Sequence, residues 1–440
     1  MEVDRVIGEI SRIIWGWPLI AALSGIGVFL SFRLKFPQIF QLKTAIKYIT
    51  SEKEDGNSIG DVSNFASFCT ALSATIGTGN IVGVALAIAA GGPGALFWIW
   101  VSAFFGMAVK YAECVLAVRY RRIGSDGKIA GGPMYYIEEG LNSKFLAKIF
   151  AFAGIVVALT GIGTLTQSNS IAAATAESFG IPKIVTAILL GIIVAVVTLG
   201  GIHKISYISE KIMPLACLLY VCAAIVALVI NIELLPHAIY MIFVGAFSPQ
   251  SIFGGGVGIT AMTAMQLGIS RGIFSHESGL GSAAIAAAAA KTDSPVKQGL
   301  ISMTGTFFSI IVCTMTGLVL IITSKETGVF TSECIIDGAL LTSHAFEAGI
   351  GISGIGKHIV NFGILFFAFT TIIGWNYYGE KCVQYLWGIR VINPYRMLFL
   401  FFVVIGPFFK IDMIFVIADI VTGLMTIPNL IGLIALRKTI

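Results

Sequence analysis

Two stretches of this chain set clustered glycines and polar side chains inside apolar surroundings. The first is ATIGTGNIVG, residues 74–83, where Gly77 and Gly79 stand beside Thr75, Thr78 and Asn80, with Ser73 just before. The second is SRGIFSHESGLGSAAIAAAA, residues 270–289, where Gly272, Gly279 and Gly281 flank Ser275, His276, Glu277 and Ser278. Free amides at a helix start hold an anion. Carbonyls and hydroxyls, all neutral hard oxygens, suit a monovalent cation. Hydrolytic and nucleotide chemistries fit less well. His276 and Glu277 make half of HExxH, but residue 280 is Leu, so the second metal ligand is missing. GTGNIVG is one residue too long for the dinucleotide pattern GxGxxG, and no short strand bounded by turns precedes it. No GxSxG with a membrane-embedded His/Asp partner appears, and no Asp/Glu cluster suggests a divalent metal.

Other polar residues interrupt apolar segments. GTLTQSNSIAAA carries Gln167 and Asn169, which line a cavity or hydrogen-bond between helices. Lys110 and Glu113, at i and i+3, are expected to pair as a brace on one helix face. His276 and Glu277 are expected to pair with Arg271 or orient the unwound backbone, the sharper reading being a proton-coupling site. Phe274 and Trp375 are bulky enough to cap a pocket, with ordinary packing as the alternative.

Composition says what holds these residues in place. Of 440 residues, 57% are hydrophobic and 12% charged, about half the ~25% usual in soluble domains. Mean hydropathy is +0.92. An all-α polytopic membrane protein follows, and nucleic acid is excluded as a partner. The seven cysteines include no CxxC and read as small packing residues. The first segment, with mixed charges and a long apolar stretch, reads as a retained helix rather than a signal peptide. Eleven spans are expected, near 13–32, 64–90, 94–118, 149–175, 182–200, 208–230, 256–290, 300–323, 358–380, 392–409 and 411–436. Most of the 28 Lys and Arg then fall on one face, including Arg33, Lys43, Lys47, Arg119, Arg121 and Arg122. The positive-inside rule makes that face cytoplasmic, with the N-terminus outside and the C-terminus inside. This asymmetry accounts for the net charge of +5 better than acidic partners do. In the first cytoplasmic loop, Ile39, Leu42, Ile46 and Ile49 recur at helical spacing with Lys43 and Lys47 between them. They predict a short helix on the membrane surface or an amphipathic connector. Outside, a helix is expected near 333–348, with Glu326, Glu333, Asp337 and Glu347 solvated.

A lone small-xxx-small face, Gly79 and Gly83, would need only the glycines. The polar side chains beside them point instead to a broken helix whose freed backbone groups find partners in Ser73, Thr75, Thr78 and Asn80. Two interrupted helices at corresponding places of two halves are a pointer to a transporter site. The breaks lie about 200 residues apart, and each opens a group of five spans. An odd number of helices reverses the topology of the second group. The expected organisation is residues 1–63 as an extra N-terminal helix and cytoplasmic connector, 64–230 as a first five-helix repeat, 231–255 as an extracellular connector, and 256–440 as a second, inverted repeat.

The chain resembles the alanine/glycine:cation symporter family, of leucine-transporter-like fold. The resemblance rests on NFASFCTALSATIGTGNIVGVALAIAAGGPGALFWIW (64–100), GGPMYYIEEGL (131–141), GISRGIFSHESGLGSAAIAAAAAKTDSPVKQGL (268–300) and TTIIGWNYYGEKC (370–382). It implies a secondary active transporter, not an enzyme, that takes up alanine and glycine by alternating access with Na⁺ (in some members H⁺). No cofactor is implied beyond Na⁺ as coupling ion, and the partners are amino acid, Na⁺ and the lipid bilayer of the cell membrane, with no obligate protein partner. Carried onto this sequence, the family fold assigns the substrate carboxylate to the amides of Thr78 and Gly79. It assigns Na⁺ to the carbonyls of Ser73 and Ile76 and the hydroxyls of Thr370 and Thr371. A further Na⁺ site would use Thr75, Asn80 and Ser275. The ammonium wants oxygens, from carbonyls near Phe274 and Ser275 or from Gln167 and Asn169. Phe274 and Trp375 would exclude larger side chains. Where many fold relatives carry a gating arginine, this chain has Gly83. Proton coupling through Glu277 and His276 is the alternative, an intramembrane enzyme or a channel the remaining ones.

Overall fold

The computed structural model describes residues 9–10, 13–50, 58–124, 126–247, 261–330 and 337–440. Apolar sequence in hydrocarbon must satisfy its backbone internally, and the chain does so with helices. In order these are α1 (Trp17–Arg33), α2 (Leu42–Thr50), α3 (Asn64–Thr75), a π-helical turn over Gly79–Gly83, α4 (Val84–Gly91), α5 (Gly94–Arg119), α6 (Pro133–Leu141), α7 (Lys144–Thr160), α8 (Leu165–Phe179), α9 (Lys183–Thr198) and α10 (Gly201–Ile230). There follow α11 (Leu235–Phe247), α12 (Ala261–His276), α13 (Ser282–Ala288), α14 (Pro295–Ile322), α15 (Gly338–Ile350), α16 (Ile355–Trp387), α17 (Ile392–Ile405) and α18 (Ile411–Ala435). A two-stranded antiparallel hairpin, β1 (Arg122–Ile123) and β2 (Ile129–Ala130), follows α5.

Seven helical segments among the described residues are long and apolar enough to cross a bilayer, eight if the bent pair Asn64–Thr75 and Gly79–Gly91 counts as one span. The eleven expected segments all find helices, but α1 and α9 have only 17 and 16 residues. The segment expected at 256–290 is divided into α12 and α13, with 256–260 outside the described residues. Of the outer helix expected near 333–348, residues 337 onward are described, and α15 begins at Gly338 with Asp337 accepting the Ala339 and Leu340 amides.

The amphipathic loop forms α2. Its Ala45 packs with Met107, Tyr111, Leu300 and Met303, while Lys43 and Lys47 stay exposed. At the centre, α3 and α13 pack on one another and are flanked by α5, α14 and α16; α10 lies against α3, α14 and α16. The broken helices therefore sit inside a cage of unbroken ones.

An ion pair ties α12 to α18. Arg271 of α12 grips Asp419 of α18 with two bonds, at 3.0 and 2.8 Å, and its guanidinium also lies over Phe274 and Phe415. Of the two readings for His276 and Glu277, pairing with Arg271 gives way to this bond, which leaves orientation of the unwound backbone. Both partners are largely removed from solvent, so stranding one charge costs far more than losing the pair. Asp419→Ala should destabilise the protein by ~3–5 kcal/mol. Arg271→Met combined with Asp419→Leu should recover most of that, read as thermal unfolding midpoints of the purified proteins. Equal midpoints for wild type and Asp419→Ala would remove the argument.

Candidate transport site

The first break begins where α3 ends. Ile76 leaves helical geometry (φ −87°, ψ 100°), and helix resumes at Gly79, bent by 49°. Clustered glycines make that turn cheap, but the freed groups still need partners. The Ser73 and Ile76 carbonyls are met by the Thr371 hydroxyl of α16, at 2.8 and 3.3 Å. The Gly77 amide donates to Asn80 Oδ1 at 3.2 Å, and the Thr78 amide donates to Gln167 Oε1 at 3.3 Å. Gln167 is itself oriented, because its Nε2 donates to the Ile162 carbonyl in the unwound link between α7 and α8. Gly77 marks the point of convergence. A β-carbon there would lie 2.7 Å from Thr371 Oγ1 and 3.2 Å from Gln167 Oε1. Beside it the Thr78 hydroxyl is fully buried and has no hydrogen-bond partner among the described residues. A hydroxyl left so is costly unless a ligand completes it.

The second break runs from His276 to Ser282. Glu277 takes a left-handed φ of 54°, uncommon for a side-chain-bearing residue, and Gly279 and Gly281 follow at 98° and 76°. Glu277 is held by two donors, Trp375 Nε1 at 3.0 Å and Ser282 Oγ at 2.6 Å. One oxygen of Glu113 on α5 accepts both the Gly279 and Gly281 amides at 3.0 Å and the Asn429 side chain at 2.6 Å. The expected Lys110–Glu113 brace is thus replaced. Glu113 is drawn to the freed amides, and the buried Lys110 ammonium, with no hydrogen-bond partner among the described residues, acts on it through its charge alone. His276 Nδ1 accepts from the Ser278 amide at 3.2 Å.

A chain of hydrogen bonds joins the two breaks. The Ser275 hydroxyl donates to the Gly79 carbonyl at 3.0 Å, and the Ser309 hydroxyl donates to the Ser275 carbonyl at 3.0 Å. Asn80 Nδ2 donates to Ser309 Oγ at 2.7 Å, and Thr316 donates to the Asn80 carbonyl at 3.0 Å. The Phe274 ring stands against Gly79, where a β-carbon would come within 2.8 Å of it.

Of the residues singled out in the sequence, the structure gathers Ser73, Ile76, Thr78, Gly79, Asn80, Gln167, Phe274, Ser275 and Thr371 around the breaks. It takes four elsewhere. Thr370 and Thr371 are ~100° apart around α16, so the Thr370 hydroxyl faces Met213 Sδ at 3.1 Å and its own helix carbonyls. Gln167 and Asn169 are ~200° apart around α8, and Asn169 donates to the Gly406 and Phe409 carbonyls. The Thr75 hydroxyl folds back onto the Ala71 carbonyl. Trp375 reaches the second break through Glu277 rather than the first. Ser309, Thr316 and Asn429 escaped the sequence reading. Ser309 and Thr316 stand seven residues apart on one face of an apolar helix, a pattern that was there to be found.

The sodium:alanine symporter family model matches residues 1–440. An uncharacterized transporter of Haemophilus influenzae is 53% identical over 441 residues, covering 100% of this chain and 95% of that one. The sodium/alanine symporter AgcS of Methanococcus maripaludis is 46% identical over 445 residues, covering 100% and 96%. The crystal structure of MhsT in complex with L-phenylalanine superposes with a TM-score of 0.60 at 12% identity, covering 84% of this chain and 88% of that one, a likeness of fold.

The Glu113 cap yields a stability test. Glu113→Leu leaves two buried amides unpaired, at ~1–3 kcal/mol each, and should lower the thermal midpoint. Glu113→Gln keeps an accepting oxygen and should lower it less. Identical midpoints for the two variants would show that the cap is not what holds the second break.

Proposed function

The chain belongs to the sodium:alanine symporter family, and from that premise we propose that it carries small neutral amino acids, alanine and glycine foremost, into the cell together with Na⁺. It is a multi-pass membrane transporter rather than an enzyme. The observation that carries the proposal is the meeting of the Ser73 and Ile76 carbonyls with the Thr371 hydroxyl at a break whose Gly77 leaves no room for a side chain. The Phe367 carbonyl lies 2.9 Å from the same hydroxyl. With its proton turned there, the Thr371 oxygen faces the two carbonyls as a third neutral ligand, and Na⁺ is the cargo such oxygens favour. Thr370 takes no part in this reading.

The substrate carboxylate is assigned to the amides of Thr78 and Gly79, at the positive end of the helix starting there. It would take the place of Gln167 Oε1 on the Thr78 amide and complete the Thr78 hydroxyl. The ammonium is assigned to oxygens near Phe274 and Ser275. Phe274, against Gly79, makes the pocket short and favours a methyl or hydrogen as side chain. We read the architecture as α1 plus two five-span repeats of opposite topology, N-terminus outside and C-terminus in the cytoplasm. The element order supports this, since α3/α4 and α12/α13 each open a group with four further spans. Proton coupling through Glu277 and His276 has less support. Both Glu277 oxygens accept from Trp375 and Ser282, and His276 Nδ1 accepts from a backbone amide.

Reconstituted protein should take up radiolabelled alanine only with an inward Na⁺ gradient; equal uptake without Na⁺ overturns the coupling. Thr371→Val should weaken apparent Na⁺ affinity roughly tenfold, the loss of ~1.4 kcal/mol of ligand energy. Thr370→Val should change it little. Equal effects of the two would remove the cation assignment. Gly77→Ala and Thr78→Pro should abolish alanine binding, and intact binding in Thr78→Pro would overturn the carboxylate assignment.

A further inference from the structure

The segment leading into α3 and the segment leaving α13 run side by side. Val62 and Ala290 form a parallel bridge. The Asp61 and Val62 amides donate to the Ala289 carbonyl at 2.8 and 3.2 Å, and the Lys291 amide returns a bond to the Val62 carbonyl at 2.8 Å. Approach is so close that a β-carbon on Gly60 would come within 2.4 Å of the Lys291 backbone. Over this seam lies Arg121, just beyond the end of α5. Its Nη1 donates to the Ala288 and Ala290 carbonyls at 2.9 and 2.7 Å, and its Nη2 to the Ile59 and Thr292 carbonyls at 2.8 and 2.6 Å. One planar guanidinium thus satisfies four carbonyls from both segments, a task for a rigid fork that a lysine cannot copy. Farther in, the Ser67 hydroxyl of α3 donates to the Ala286 carbonyl of α13 at 2.9 Å.

We propose that Arg121 is a positioning residue for transport, a latch that binds the cytoplasmic ends of the two broken helices together while the site faces outward. The proposal rests on the alternating-access reading above. Each broken helix has glycines at which it can bend, so contacts at the far ends of α3 and α13 help to set their angles. Release of cargo inward requires these ends to part. Beside the Arg121 and Ser67 bonds, the seam consists of direct backbone bonds between the two segments. Arg121 is anchored to α5, an unbroken helix, so it supplies a fixed point that both moving segments must leave together. Asp61 and Asp293 lie near enough to balance its charge, and Asp61 also accepts the Ile129 amide of the hairpin that follows α5, at 3.0 Å. Two different lesions must therefore act alike. Arg121→Gln removes the fork, and Gly60→Ala pushes the seam apart while keeping the Arg121 side chain.

Hydrogen–deuterium exchange of the full-length protein, in Na⁺, should be roughly tenfold faster over 58–75 and 282–292 in both variants, the loss of a charge-assisted contact. Exchange over α9 and α17 should be unchanged. In proteoliposomes the external Na⁺ concentration for half-maximal uptake should rise by a similar factor, because the outward-facing fraction falls. A role in folding alone would lower maximal uptake and leave that concentration unmoved. Arg121→Lys should fall between wild type and Arg121→Gln. Unchanged exchange in both segments, acceleration spread evenly over α9 and α17, or full function in Arg121→Lys would each overturn the latch. If wild-type uptake proved indifferent to Na⁺, the coupling would fail while the exchange comparison still decided the latch.

Discussion

Backbone groups at membrane depth have no water to turn to, and that single constraint organises this protein. Two helices are broken inside the core, and each break sets free amides and carbonyls that hydrocarbon would penalise by several kcal/mol apiece. The rest of the molecule is arranged to meet them. Gln167 from α8, Thr371 from α16 and Asn80 from the break itself answer the first; Glu113 from α5 and Asn429 from α18 answer the second. The same groups that make a break tolerable are the ones a ligand can use, because a carbonyl that accepts from a hydroxyl can equally face a cation.

Charge is distributed in keeping with this. Around Gly77 the contacts are neutral amides, carbonyls and hydroxyls, whereas carboxylates do structural work elsewhere. Glu113 caps amides, Asp419 holds Arg271, and Glu380 holds Arg396 with two bonds. Sequence similarity across the full chain places it in a transporter family, and the likeness to MhsT is one of fold.

Much of this was visible in the residues alone. The glycine clusters at 77–83 and 279–281 announced breaks, because neither packing nor a nucleotide loop explains the polar side chains beside them. Hydrophobic length located the helices, since continuous apolar runs of about 20 residues suit a spanning helix rather than a barrel strand. What escaped was the direction of individual side chains. Lys110 and Glu113 share a helix face and looked like a pair, yet Glu113 turned to amides 166 and 168 residues away in sequence. Gln167 and Asn169 looked equivalent in composition, but helical rotation sends them to opposite sides.

The sequence by itself determined the membrane class, the places where helices must break, and the neutral oxygen chemistry that the first of them offers, because these depend on residue type and local spacing. Only the tertiary structure decided which hydroxyl meets which carbonyl: Thr371 rather than Thr370, Ser309 where nothing had been expected, and Arg121 across a seam joining residues 59–62 to 288–292. Those choices depend on how far each helix is rotated about its axis and how closely its neighbours approach. Both are settled by packing between distant segments, which no local stretch of sequence contains.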